Sequence, residues 1–183
     1  MCSSDLGASG EVGLAAVQLA KHLGARVIAT GGDDRRLAIV KQNGADDVVN
    51  YRTADFVAAV KELTGGKGAD VIYDPVGGEV LEKSMRAAAY GARLLVVGFT
   101  SGGPSRLMSN HVLIKGLTVM GVRAGETLLR QPHMGYSYEE LPKLAALGVM
   151  RPNISHRFSM DRVADAFRVL LDRQVVGKAV IEM

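Results

Sequence analysis

The sequence is poor in cysteine. A single thiol, Cys2, in 183 residues excludes an internal disulfide and a multi-cysteine zinc lobe, and a reducing compartment is its simplest setting. Histidine is nearly as sparse. His22, His111, His133 and His156 show no metal-ligand spacing and no carboxylate-linked pattern, so no metal is expected. No run approaches the roughly 18 apolar residues of a membrane span, and the first residues lack the apolar stretch of a signal peptide. The expectation is a cytoplasmic protein with no membrane partner. Lys and Arg number 22 against 19 Asp and Glu, with an isoelectric point near 9.1. Because the cations are spread rather than blocked, this surplus suits an anionic small molecule and not a nucleic acid. Internal repeats and low-complexity linkers are also missing.

What is present is ordinary globular composition, 48% hydrophobic and 22% charged, enough for one sizeable core or a domain plus an appendage. The chain is organised around Gly7-Ala8-Ser9-Gly10-Glu11-Val12-Gly13, which runs into the helical pattern Leu14, Val17, Leu19, Ala20 and Leu23. Glycine at this spacing turns tightly out of a strand and lets a bulky anion approach the first amides of a helix. It reads as a pyrophosphate cradle, with a first helix over Glu11 to His22 closed by Gly24. Strands follow at Arg26–Thr30, Val48–Tyr51, Val71–Tyr73, Leu94–Gly98 and Leu117–Val122. Helices lie between them at Leu37–Gln42, after Thr53 as far as Gly65-Gly66 with Phe56, Val57, Val60 and Leu63 on one face, at Glu79–Ala88 and at Asn110–Lys115. This alternation predicts an α/β, Rossmann-type doubly wound parallel sheet, with too few units for a TIM barrel.

Beyond Val122 the rhythm changes. Thr127 to Tyr138 reads as irregular, Tyr138 to Leu147 as a helix and Ser155 to Phe158 as a short strand. Met160 to Arg173 is an amphipathic helix with Val163, Ala166, Phe167, Leu170 and Leu171 inward, and Gly177 to Ile181 is a closing strand. Residues 1–6, MCSSDL, are the anomaly. A buried first strand should be aliphatic, and replacing about four buried aliphatics forfeits roughly 6–12 kcal/mol, comparable with a domain's whole stability. An altered or truncated start and a marginally stable chain are therefore expected.

Ligands of open parallel sheets lie outside the carboxyl ends of the strands. At the end of the second strand Gly31 stands where an NAD site places its ribose-binding acid, and Arg35 and Arg36 follow. A small residue with nearby cations favours the 2′-phosphate of NADPH, unless the arginines merely solvate a helix start. The missing acid also disfavours an S-adenosylmethionine methyltransferase.

Residues Gly7–Lys21, Gly24–Thr30, Asn43-Gly44-Ala45-Asp46, Asn50-Tyr51-Arg52, Tyr73–Gly78, Leu94–Phe99 and Gly177-Lys178-Ala179-Val180 together resemble the zinc-independent NADPH:quinone oxidoreductases of the medium-chain dehydrogenase/reductase superfamily. The resemblance implies that the Ser9, Gly10, Glu11 and Val12 turn holds the pyrophosphate. Arg36 and Tyr51, beside Gly31, would meet the 2′-phosphate and adenine, and Val76, Gly77, Gly98, Phe99 and Thr100 would line ribose and nicotinamide. For three residues a plainer reading stays open: Tyr51 as a strand cap, Phe99 as core, and Asp74 as a turn residue bonding local amides. The implied reaction is metal-free hydride transfer from NADPH to a quinone or an α,β-unsaturated carbonyl. Leu117 to Val122 is an apolar edge through which such proteins commonly form homodimers.

Residues 7–150 would then be the NADPH-binding Rossmann domain, and 151–183 a segment returning to a GroES-like catalytic domain. Without that domain the apolar faces around Phe158 and Val180 would be exposed, and the chain would have little or no activity of its own. Two departures from family pattern matter: no such domain precedes Gly7, and Glu11 replaces a small residue where its carboxylate would repel the pyrophosphate unless turned to solvent. No catalytic residue is assigned. None of the five tyrosines is followed four residues on by lysine, which excludes a short-chain dehydrogenase, and no Gly-x-Ser-x-Gly elbow surrounds Ser9. The alternative is a non-catalytic, truncated dinucleotide-binding module.

Overall fold

Every residue of Arg26–Gly31 after its first is buried, the mark of a strand covered on both faces. In the computed structural model, which describes residues 2–131 and 137–183, this strand (β2) lies beside β1 (Cys2–Leu6) in a six-stranded parallel sheet. The others are β3 (Asp47–Asn50), β4 (Ala69–Asp74), β5 (Ala88–Val96) and β6 (Thr118–Gly121). Their order is β3-β2-β1-β4-β5-β6. The direction of winding therefore reverses between β1 and β4, leaving a crevice at the carboxyl ends of those two strands.

Helices cover both faces. Val27 and Ala29 point into a cluster with Leu14, Val17 and Val40, from α1 (Glu11–His22) and α2 (Asp34–Gln42). Ile28, between them, points to the opposite cluster with Phe56, Val60, Ile72, Leu81, Met85 and Leu94, under α3 (Phe56–Leu63) and α4 (Gly78–Ala87). After α4 come β5, α5 (Ser109–Lys115), β6, α6 (Ala124–Arg130) and α7 (Ser137–Ala146). The chain then forms a separate parallel pair, β7 (Ile154–Ser159) and β8 (Lys178–Glu182), joined by a 3-10 turn at Met160–Arg162 and α8 (Val163–Leu171). Among the described residues no helix is long and apolar enough to cross a membrane.

Several expectations are corrected. The polar run 2–6, though it lacks the aliphatic pattern expected of a buried first strand, forms a central strand of the sheet, with Ser3 opposite both Val27 and Val71. Backbone amides and carbonyls complete a parallel ladder whatever side chains they carry. The stretch expected to be irregular after Thr127 is helical as far as Arg130, and residues 132–136, with His133 and Tyr136, lie outside the described residues. β5 begins six residues earlier than its aliphatic run, through a shifted register between Ala69 and Val71. On α8 only Ala166 is buried, flanked by half-buried Val163 and Val169, while Phe167, Leu170 and Leu171 are exposed. Two strands are too narrow to cover the whole apolar stripe of the helix. Phe158, expected on an exposed face, is buried, and Val180 is half-buried; the Arg162 guanidinium lies 5.6 Å from the Phe158 ring centre.

Candidate dinucleotide site at the carboxyl edge of the sheet

The turn from β1 into α1 is shaped by three glycines. Gly7 has φ +72°, and a Cβ there would lie 2.8 Å from Val76 Cγ2, so this turn touches the loop after β4. Gly10 caps α1 without a side chain, its amide donating to the Gly7 carbonyl at 3.2 Å. At Gly13 a Cβ would lie 2.6 Å from Ala8 Cα, so only glycine lets the first helical turn pack on the turn before it. The amides of the first helical residues have no carbonyl in the preceding turn to bond, and with the helix dipole they favour an anion. Glu11 and Val12 are exposed at this end. The Glu11 carboxylate is ion-paired with Lys178, and the Ser9 carbonyl accepts from the Gly177 amide at 3.2 Å.

The loops after β4 and β5 are laced together by backbone. Val97 N–H donates to the Asp74 carbonyl at 2.9 Å, Thr100 N–H to that of Pro75 at 3.2 Å, and Ser101 N–H to that of Val76 at 2.9 Å. The Thr100 hydroxyl also bonds Pro75 O at 3.1 Å. Gly77, at φ +72°, has room only for hydrogen, since a Cβ would approach Phe99 Cδ1 at 3.0 Å; at Gly98 it would lie 3.0 Å from Pro75 O. Phe99 is half exposed and so not core. Asp74 is fully buried, and its Oδ1 accepts from the amides of Val76 at 2.7 Å and Gly77 at 2.9 Å. It acts as the turn residue that holds Val76-Gly77 against β1. Burial pushes its carboxyl above the ordinary range, against the pull of those two amides, and Oδ2 has no partner.

At the far end of the crevice the geometry shifts emphasis from one glycine to the next. Gly31 is buried, and a Cβ there would meet Leu37 Cδ2 at 3.0 Å. At Gly32 it would instead lie 3.0 Å from both Tyr51 Oη and Arg52 Nε. Gly32, Tyr51 and Arg52 thus form the open corner beyond β2 and β3, with α2 capped alongside by Asp33, which accepts from Arg36 N–H at 2.9 Å. The Arg36 guanidinium is turned elsewhere: its Nη2 donates to the Val175 carbonyl, and its buried Nε has no partner. Gly32, Arg52 and Lys178 were not among the sequence candidates. Arg52 sits in the Asn50-Tyr51-Arg52 strand end, a signal that was legible; Lys178 is 167 residues from Glu11, and nothing local announces it.

The zinc-binding dehydrogenase profile matches residues 12–145. The chain belongs to that family. Within it the chain corresponds to the C-terminal portion of the quinone oxidoreductases of the medium-chain dehydrogenase/reductase superfamily. It is 32% identical over 178 residues to quinone oxidoreductase-like protein 2 of Bos taurus, covering 96% of this chain and 51% of the relative. The crystal structure of Escherichia coli quinone oxidoreductase complexed with NADPH superposes with TM-score 0.87 at 28% identity, over all of this chain and 57% of that one. An NAD-dependent alcohol dehydrogenase gives 0.83 at 33%, over all of this chain and 51% of that one. The chain spans about half the length of the curated relatives it matches. Its relatives are oxidoreductases. Among the described residues there is no group of three or more His, Cys, Asp or Glu side chains that could hold a metal ion.

Proposed function

We propose that this chain is the cofactor-binding part of an NADPH-dependent oxidoreductase that reduces a quinone or an α,β-unsaturated carbonyl without zinc. The observation carrying the proposal is that a glycine turn shaped for pyrophosphate and an open Gly32-Tyr51-Arg52 corner lie along one crevice at the switch point of the sheet. Gly7 and Gly13, where a Cβ would strike neighbouring protein atoms, keep the turn tight against the helix, and Gly10, where a Cβ would meet only Gly7 O at 3.6 Å, leaves the backbone open to the close approach of a dinucleotide. The nicotinamide, when bound, supplies the hydride chemistry. The chain's own residues do the rest. Helix α1 presents its first amides to the pyrophosphate, Arg52 and Tyr51 meet the adenosine 2′-phosphate, and Val76, Gly77 and Phe99 fix the nicotinamide end and exclude water from one side. Arg36 joins the 2′-phosphate site if it leaves Val175.

Titration of the full chain with NADPH and NADH, read by nicotinamide fluorescence, tests the reading. NADPH should bind at least about tenfold more tightly, as a charge-assisted phosphate contact allows, and Arg52→Ala should close most of that gap. Equal affinity for the two would sink it. The curated relatives are about twice as long as this chain, and we propose that their remaining half walls the other side of the substrate cleft, so that this length of chain turns over little, with the non-catalytic module as the second reading. NADPH consumption over a quinone panel separates the two. A homodimer through edge strand β6 completes the proposal.

A further inference from the structure

Glu11 and Lys178 come from opposite ends of the sequence and meet at the mouth of the cradle. The approach is built, because the Gly177 amide bonds the Ser9 carbonyl, Gly10 and Gly177 form a β-bridge, and Val176 is buried in the α1 and α2 cluster. Gly177 itself, at φ +75°, has its Cβ space filled by Asn153 O at 2.3 Å, so the segment is held to a single path. A carboxylate beside the first amides of α1 works against any anion there. Lys178 is the cation in contact with it.

Resting on the cofactor reading above, we infer that Lys178 is a positioning residue of the pyrophosphate site: by pairing with Glu11 it cancels a charge that would otherwise repel the cofactor. Its consequence has a sign. Removing Lys178 leaves Glu11 unopposed and weakens binding; removing Glu11 frees the Lys178 ammonium for the pyrophosphate and tightens it. A pair that only ties β8 to α1 mechanically would act the other way, since cutting it from either side would loosen the same tie. Both side chains are about half exposed, so neither substitution empties a core.

The test is the NADPH dissociation constant of the full chain, with thermal melts alongside, for Lys178→Gln, Glu11→Gln, the double variant and Lys178→Arg. Lys178→Gln should weaken binding about three- to tenfold and Glu11→Gln strengthen it by a similar factor, the scale of one charge acting on a doubly charged group through high-dielectric surroundings. The double variant and Lys178→Arg should lie near wild type. Single variants that both weaken binding, or that both leave it unchanged, overturn the inference while the cofactor reading stands. A wild-type chain that binds no NADPH overturns both.

Discussion

Gly13 faces the narrowest gap at the cradle, with Ala8 backbone atoms 2.6 to 2.8 Å from where a Cβ would be. Those atoms belong to the main chain and cannot rotate aside, so Gly13→Ala must push α1 off the turn. Overpacking of this kind costs about 1–3 kcal/mol. The variant should melt at a lower temperature and lose at least tenfold in NADPH affinity, because the displaced amides are the ones we propose face the pyrophosphate; an unchanged calorimetric titration would refute this. Asp74 gives a pH-dependent expectation. Its folded pKa is raised by burial, so between about pH 4, the ordinary carboxylate value, and the folded pKa, the native state keeps a proton that the unfolded chain releases. Its contribution to stability is full below that window and is lost as pH rises through the folded pKa. Asp74→Asn cannot titrate. Its unfolding free energy should therefore improve relative to wild type from pH 4 to pH 7, and a constant difference between the two across urea melts at those pH values would count against the assignment.

At the scale of elements, the segment leading into and out of the terminal β7-β8 unit is moored by hydrogen bonds to α1 and to the turn before it. Gln18 makes two of them, donating to Arg151 O at 2.9 Å and accepting from Arg151 N–H at 3.0 Å. Gln18→Ala should cost about 1–2 kcal/mol, read as a lower urea midpoint. Proteolysis should then begin in residues 147–153, the link into that unit. The elements themselves were legible to different degrees. β2, β4 and the first helix could be read because their signals are local: an apolar run, a glycine turn, a helix closed at Gly24. α6 could not, because its cap Arg123 makes no side-chain bond and the pattern it carries is a half-buried Glu126 paired with Arg123 and Arg130. The same division holds at the site. The cradle Gly7–Gly13 is a property of seven consecutive residues. The turning of Arg36 toward Val175 spans 139 positions and depends on the packing of a segment whose place no local pattern foretells.

The whole molecule exposes 11087 Å², about 30% more than the roughly 8,500 Å² expected of a compact monomer of its mass. Several large apolar side chains lie on this surface. Phe167 and Leu171 on α8, Leu113 and Ile114 on α5, and Leu129 on α6 are each more than 60% exposed. Surface of that kind is covered in stable proteins by association. Sedimentation over a concentration series should therefore show self-association, and Met120→Lys on the edge strand β6 should shift it toward monomer if that edge is the contact; an unaffected oligomer would place the contact on α8 or α5 instead. The joining of Ser9 and Gly10 to Gly177 has a consequence in time. The Gly177 clasp lies far downstream of the cradle in sequence, so all of the chain between them must be synthesised before the crevice can close. Until then the nascent turn has only half its frame, and closure of so long a loop is entropically slow. Clipping the last seven residues after Val176 should therefore leave most of the sheet standing and its ligand unbound.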